Sequence, residues 1–232
     1  MIIIGHRGAA GYEPENTIKS ILKGIECGAS AIEVDVRRTK DGIMVLMHDE
    51  TVDRTTNGEG KVSELTLAEI KCLDAGKGER VPTLFEVFEL LKERNVILLV
   101  ELKEIGYEEE VVSMIKDFNM LDRVYITSFH KSALNRVVEI EPNMKTGLIF
   151  SSNTLRNMKI AEELNVDVVV PKYQLVNRNF LRSCRRLGFK VFVWTVNRAI
   201  DVVKFYRLGV DGIVTDYPCM VKRIINNLIS MI

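Results

Sequence analysis

Two carboxylates, Glu33 and Asp35, lie two residues apart within the apolar run 31–36, a pattern typical of a buried strand. At that spacing both side chains point to the same side of the strand. Two carboxylates directed into an interior repel each other and lose solvation unless a cation joins them. Glu101, on a later apolar run, can supply a third ligand, and an oxygen-only set favours Mg²⁺ or Ca²⁺ over zinc. The alternative is a buried ion network without a metal.

Cationic and titratable side chains accompany these carboxylates. Two of the three histidines, His6 and His48, each end a strand run, and histidine can act as acid or base near neutral pH. Arg7 offers a planar fork for phosphate oxygens. Lys103, two residues after Glu101, can pair with the carboxylates or with a substrate anion. The combination points toward phosphate chemistry.

The elements that must position these residues are short apolar runs. They occur at 2–5, 31–36, 97–102, 123–127, 146–150, 167–171, 190–194 and 212–215. Near-continuous apolar runs are typical of strands buried on both faces of a parallel sheet. Most begin about two dozen residues apart with helical periodicity between them, which predicts a (β/α)₈ TIM barrel. An open doubly wound sheet is the alternative. Polar residues gather at the carboxyl ends of the runs, where barrel active sites form.

One interval breaks this spacing. The second and third runs begin at 31 and 97, so about 40 extra residues separate them. We predict a single TIM-barrel domain over 1–232, with an insertion at about 37–82 that contains a strand at 43–47. A short helix is expected from Leu67, with Thr66 as its N-cap. Because the insertion follows the carboxyl end of a strand, we expect it over the mouth of the barrel.

Composition excludes several classes of protein. Equal numbers of basic and acidic residues and a pI near 6.8 leave no broad basic field for nucleic acid. No apolar run approaches the roughly 20 residues that span a bilayer, and the start of the chain is unlike a signal peptide. The four cysteines lack close spacing, so we expect free thiols in a reducing compartment. Without a signal peptide or a membrane span, a cytoplasmic protein is expected.

Several sequence blocks together resemble the glycerophosphodiester phosphodiesterase family. They are HRG at 6–8, PENT at 14–17, EVDV at 33–36, TKDG at 39–42, HDETVDRTTNGEG at 48–60, ELK at 101–103, SF at 128–129, WTVN at 194–197 and DGIVTDYP at 211–218. The blocks extend over essentially the whole chain, and the first five are jointly specific. That family is a TIM barrel with an insertion after its second strand, which agrees with the spacing.

The resemblance implies metal-dependent hydrolysis of glycerophosphodiesters, such as deacylated phospholipids, to glycerol 3-phosphate and an alcohol. It implies roles for residues of this chain: His6 and His48 as the acid/base pair, Glu33, Asp35 and Glu101 as metal ligands, Arg7 and Lys103 as phosphate contacts, Asn16 with Glu15 in support near the metal or phosphate, and Trp194 as a wall for glycerol. It also implies a cyclic phosphate intermediate, without determining which histidine acts first as the base. His130, beside the SF pair, is a position that could affect which alcohol is tolerated.

Three other functions explain fewer of these residues. A Schiff-base lyase using Lys103 or Lys172 leaves the carboxylates and both histidines unexplained. A catalytically inactive metal-binding protein is expected to lack one of these residues, and all are present. A lysophospholipase D-type enzyme acting on lysolipids is disfavoured because the insertion has no apolar stretch for docking to a membrane. The leaving alcohol, the metal and the oligomeric state are not determined by the sequence.

Overall fold

Short runs rich in Val, Ile and Leu form a closed barrel in the computed structural model, which describes residues 1–230. In chain order the strands are β1 Ile2–Gly5, β2 Ala31–Arg38, β3 Met44–Leu46, β4 Ile97–Leu102, β5 Val124–Ser128, β6 Lys145–Phe150, β7 Val168–Pro171, β8 Lys190–Val193 and β9 Gly212–Thr215. Apart from β3 they are parallel, and β1 pairs with both β2 and β9. This pairing closes the ring, so the predicted TIM barrel is confirmed and the open doubly wound sheet is wrong.

Helices connect the strands around the outside of the barrel. Over residues 1–230 the α-helices are α1 Ile18–Glu26, α2 Leu67–Cys72, α3 Leu84–Leu91, α4 Glu108–Asp117, α5 Lys131–Ile140, α6 Thr154–Glu163, α7 Arg178–Arg186, α8 Ala199–Leu208 and α9 Pro218–Ile229. The predicted N-cap Thr66 begins α2: its hydroxyl accepts from the Glu69 amide, and the Glu69 carboxylate accepts from the Thr66 backbone. This capping box satisfies backbone donors that the first helical turn leaves free.

The register of β2 against β4 places the carboxylates. Asp35 lies opposite Glu101 in this pairing. Along β2, Val34 and Val36 are buried in the apolar layer between strands and helices, so the alternating side chains Glu33 and Asp35 face the barrel interior. Period-two alternation on one strand therefore directs the carboxylates inward.

The insertion reverses the chain at the end of β2. β3 pairs antiparallel with β2, with Val36 opposite Leu46, as expected for the predicted strand at 43–47. The insertion has its own small apolar cluster, formed by Val45, Met47, Val52, Val62, Ile70, Ala75 and Val81. This cluster supports the segment that carries His48, next to the carboxyl end of β2.

The expectation of four free thiols is wrong for one pair. Cys27 and Cys219 form a disulfide, with their Cα atoms 4.4 Å apart. They are 192 residues apart in sequence, so spacing gave no sign of the bond. Closure of the barrel brings the end of α1 beside the start of α9. Cys72 and Cys184 are free, and the inference of a reducing compartment from four free thiols loses its basis. Within residues 1–230 no helix combines the length and apolarity needed to cross a bilayer.

Candidate active site

Three carboxylates converge inside the mouth of the barrel. Glu33, Asp35 and Glu101 are buried, and one oxygen from each lies within 4.8 Å of the others. Glu33 Oε1 and Asp35 Oδ1 accept no well-aligned hydrogen bond from the described residues, although Lys103 Nζ lies 3.3 Å from Asp35 Oδ1. A buried acceptor without a donor costs about 1–3 kcal/mol. The oxygen-only donor set and its two unsatisfied atoms fit a hard divalent cation.

The charges of the three carboxylates are strongly coupled. Burial, reinforced by Asp35, raises the pKa of Glu33 to about 8. Burial and Asp35 also raise the pKa of Glu101, against the opposing effect of Lys103. For Asp35, burial would raise the pKa, but Lys103 and Arg7 outweigh it and the pKa is lowered. The metal-free site therefore resists full ionisation at neutral pH.

Two cations line the same wall. Arg7 Nε lies 3.1 Å from Asp35 Oδ2, and Arg7 Nη1 donates to Glu15 at 2.6 Å. The Arg7 backbone N–H donates to Glu33 Oε2 at 2.9 Å. Lys103 Nζ lies 2.6 Å from Glu101 Oε1. Arg7 and Lys103 both border the pocket in front of the carboxylates, where they can meet an anionic group.

His6 forms a pair with a residue from the opposite end of the sequence. Its Nδ1 lies 2.6 Å from Asp216 Oδ1, and its Nε2 lies 4.0 Å from Glu33 Oε2. His6 follows β1 and Asp216 follows β9, which are neighbours in the barrel. Burial would lower the pKa of His6, but the Asp216 hydrogen bond and the Glu33 charge outweigh it and the pKa is raised.

His48 forms a similar pair within the insertion. Its Nδ1 lies 2.6 Å from Oδ1 of the adjacent Asp49. Asp49 Oδ2 accepts from Arg54 Nε at 2.6 Å, and Arg54 also donates to Glu15 at 2.7 Å and 2.9 Å. Burial, together with Arg7, lowers the pKa of His48 against the effect of the acidic neighbours. Arg54 thus ties this histidine to the barrel through Glu15.

Asn16 contacts Asp35 and is not among the residues that line this pocket. Its Nδ2 donates to Asp35 Oδ2 at 2.9 Å, and its Oδ1 accepts from the Asp35 backbone N–H at 3.2 Å. The side chain is buried, and both ends of its amide are occupied by one residue. Asn16 therefore orients Asp35 in this structure.

The pocket itself has a polar side and an apolar side. Its volume is about 120 Å³, and Trp194 and Phe129 form part of its wall. These two rings contact edge to face, with centroids 5.7 Å apart, and Trp194 Nε1 donates to the Val170 carbonyl at 2.9 Å. An apolar wall facing ionic groups suits a ligand with a carbon backbone and one charged end.

Comparisons with known proteins identify the family of this chain. The model of the Glycerophosphoryl diester phosphodiesterase family matches residues 6–220. The chain belongs to this family. A glycerophosphodiester phosphodiesterase of Caldanaerobacter subterraneus subsp. tengcongensis is 41% identical over 229 residues, which cover 94% of each chain. The family resemblance drawn from the sequence motifs is therefore confirmed.

Solved structures extend the likeness to the fold. A phosphodiesterase of Oleispira antarctica, in complex with the product sn-glycerol-3-phosphate, has a TM-score of 0.89 and 29% identity, covering 97% of each chain. A glycerophosphodiester phosphodiesterase of Agrobacterium tumefaciens has a TM-score of 0.86 and 27% identity, covering 96% of this chain and 99% of that one. The protein is thus an enzyme of the glycerophosphodiester phosphodiesterase type.

The candidate site also includes residues for which the sequence alone indicated no role. Asp216, Asp49 and Arg54 support the histidines, and Phe129 completes the aromatic wall. A signal existed for each, because all four lie in or beside the motif blocks of the family. The strand ends alone did not show which side chains pair.

The Schiff-base alternative gains no support from the structure. Burial would lower the pKa of Lys103, but Asp35 and Glu101 outweigh it and the pKa is raised, which keeps this amine protonated. Lys172 is not among the residues that line the pocket. The comparisons likewise favour neither a lyase nor a lysolipid-specific enzyme.

Proposed function

We propose that this enzyme hydrolyses glycerophosphodiesters to glycerol 3-phosphate and an alcohol, with Mg²⁺ or Ca²⁺ held by Glu33, Asp35 and Glu101. The observation that carries the proposal is the cluster of three buried carboxylates, two of them with unsatisfied oxygens, at a pocket that His6 and His48 also line. A divalent ion bound there supplies Lewis-acid stabilisation of charge on the phosphate.

The cationic side chains then bind and orient the substrate. Arg7 and Lys103 contact nonbridging phosphate oxygens from the pocket wall, and Asn16 holds Asp35 in position. Trp194 packs against the carbon backbone of the glycerol moiety, and its indole N–H is fixed by the Val170 carbonyl. These contacts place the glycerol hydroxyl adjacent to the ester close to the phosphorus atom.

The two histidines transfer the protons. Their Nδ1 atoms are engaged by Asp216 and Asp49, which leaves Nε2 of His6 and of His48 for exchange with substrate. One histidine takes the proton of the adjacent glycerol hydroxyl while the other protonates the leaving alcohol. The oriented hydroxyl has a high effective molarity, so a cyclic phosphate forms and water opens it with the roles exchanged.

A substrate screen tests this function. Glycerophosphocholine, glycerophosphoethanolamine, glycerophosphoglycerol and glycerophosphoinositol are incubated with enzyme and Mg²⁺ or Ca²⁺, and glycerol 3-phosphate is measured with a coupled assay. We expect glycerol 3-phosphate from at least one diester, and none from any of them contradicts the proposal. Analogues without the adjacent hydroxyl should bind without cleavage. Their cleavage at a near-normal rate would refute the cyclic route and favour direct attack by water.

A further inference from the structure

A second groove adjoins the catalytic pocket at the carboxyl ends of β5 and β6. It measures about 420 Å³, against about 120 Å³ for the pocket. Phe129 and Ile149 line both spaces. A molecule that fills the pocket can therefore extend past these side chains into the groove without leaving the protein surface.

The size of the pocket requires such an extension. Sites that enclose a whole small-molecule ligand measure roughly 300–1,000 Å³, so a pocket of about 120 Å³ holds only part of a phosphodiester. The glycerol half is the part common to the family's substrates, and the ionic groups that suit a phosphate lie in the pocket. The groove beyond Phe129 is then available to the leaving alcohol.

The groove carries positive charge that nothing in the described structure neutralises. Lys131, at the start of α5, and Arg156, in the first turn of α6, are exposed and form no ion pair with any of residues 1–230. Ser151 and Ser152 add hydroxyl groups to the lining. The lining contains no Asp or Glu among the described residues. By contrast, the basic groups of the catalytic pocket, Arg7 and Lys103, are already paired with carboxylates.

We propose that this groove is the leaving-alcohol subsite and that it selects alcohols carrying negative charge, such as one that bears a second phosphate. The inference rests on the proposed function, since the groove matters only if the pocket cleaves a phosphodiester. Two unpaired cations beside a path from the catalytic pocket favour an anionic alcohol over cationic choline. Because the groove lies away from the reacting atoms, its charges should affect how tightly the substrate binds and not the rate of the chemical step.

Three substrates distinguish this proposal. They are glycerophosphocholine, with a cationic leaving alcohol, glycerophosphoglycerol, with a neutral one, and bis(glycerophospho)glycerol, in which the alcohol leaving one phosphate carries the other. The double variant Lys131→Gln/Arg156→Gln is compared with wild type. The matched control is Lys159→Gln, which removes an exposed charge from the same helix α6 outside the groove lining.

We expect the double variant to raise KM for bis(glycerophospho)glycerol by about 3–10-fold, the scale of two partly screened charge contacts. The kcat should stay within about twofold, glycerophosphocholine should be unaffected or improved, and 0.5 M NaCl should reduce the difference. An equal effect on all three substrates, or the same loss in the Lys159→Gln control, overturns the subsite. If wild type cleaves another diester of the screen but none of these three, the subsite is overturned alone; if it cleaves no diester at all, the proposed function fails together with it.

Discussion

The two histidine–aspartate pairs have the same hydrogen-bond distance but lie in different surroundings. In each, imidazole Nδ1 lies 2.6 Å from a carboxylate oxygen. His6 and Asp216 follow neighbouring barrel strands and are 210 residues apart in sequence. His48 and Asp49 are consecutive residues of the insertion, and the His48 side chain is 35% exposed against 17% for His6.

Their surroundings shift the two pKa values in opposite directions. Burial lowers the pKa of both rings. For His6, Asp216 and Glu33 outweigh burial and the charge of Arg7, so the pKa is raised. For His48, Asp35 and Asp49 do not outweigh burial, Arg7 and Lys103, so the pKa is lowered, and Asp49 is shared with Arg54. The same local pair therefore acquires a different proton affinity in the barrel and in the insertion. Two histidines whose pKa values are separated in this way can serve as acid and base in one site.

The largest expected effect comes from removing the insertion. Replacing residues 39–82 by a short loop keeps β2 and the eight parallel strands, so we expect a folded barrel with a lower Tm, because Met44 and Leu46 pack on the main core. Turnover should fall below detection because His48 is lost. Circular dichroism checks the fold and the coupled assay checks activity. An active deletion variant would show that the insertion, and His48 with it, is dispensable.

Single histidine substitutions separate the two pairs. His6→Ala and His48→Ala should each lower kcat by roughly 10²–10⁴-fold, the range for loss of a general acid or base. The double variant should lose less than the product of the two single losses, since the two groups act in one step. Steady-state kinetics on glycerophosphocholine measures this. A single variant that keeps activity within a few fold of wild type removes that histidine from the mechanism.

Substituting the aspartate partners should show how the histidine pair of the barrel differs from the pair of the insertion. Asp216→Asn should lower kcat about 10–100-fold, because Asp216 is the acidic hydrogen-bond partner of His6 Nδ1. Asp49→Asn should cost less than about 10-fold, because Arg54 still connects the insertion to Glu15. Equal losses in the two variants would contradict the distinction drawn between the pairs. Rates across pH 5–9 separate altered proton affinity from misfolding.

The smallest expected effect concerns stability without metal. In chelated protein the folded-state pKa of Glu33 is about 8, above its ordinary 4.5. The stabilising contribution of its proton is therefore complete below about pH 4.5 and is lost as pH rises toward 8. Glu33→Gln should then raise the Tm at pH 8 by about 2–4 °C, the shift expected for about 1 kcal/mol, and by less at pH 5.

The control for this experiment is Glu59→Gln, which alters an exposed carboxylate of the insertion and should leave the Tm unchanged at both pH values. Adding Mg²⁺ or Ca²⁺ should stabilise wild type more than Glu33→Gln, because the variant lacks one ligand charge. Thermal melts with chelator and with metal measure both effects. Equal Tm gains for Glu33→Gln at pH 5 and pH 8 would contradict the assigned cost of the buried charge.

Features that depend on local pattern were predictable from the sequence. Apolar runs placed the barrel strands, alternation along β2 turned Glu33 and Asp35 to one side, and the capping box at Thr66 began α2. Features that depend on which strands meet were not predictable. The Cys27–Cys219 disulfide and the His6–Asp216 pair both arise from closure of the barrel.

The ion pairs that connect the insertion to the barrel were also not predictable from the sequence. Arg54, Glu15 and Arg7 form a chain of ion pairs between the insertion and the loop that connects β1 to α1. Their residue types fit many solvated surfaces, and only the folded register brings them together. The motif blocks contain these residues but do not show the contacts between them.

We propose that the barrel carboxylates hold a divalent ion on which hydrolysis depends. The direct measurement is turnover of glycerophosphocholine, or the best diester of the screen, after exhaustive chelation and then with Mg²⁺ or Ca²⁺ restored. We predict that chelation abolishes release of glycerol 3-phosphate and that the ion restores it, because Glu33, Asp35 and Glu101 otherwise form a repelling buried cluster. Full activity after chelation would contradict the metal assignment.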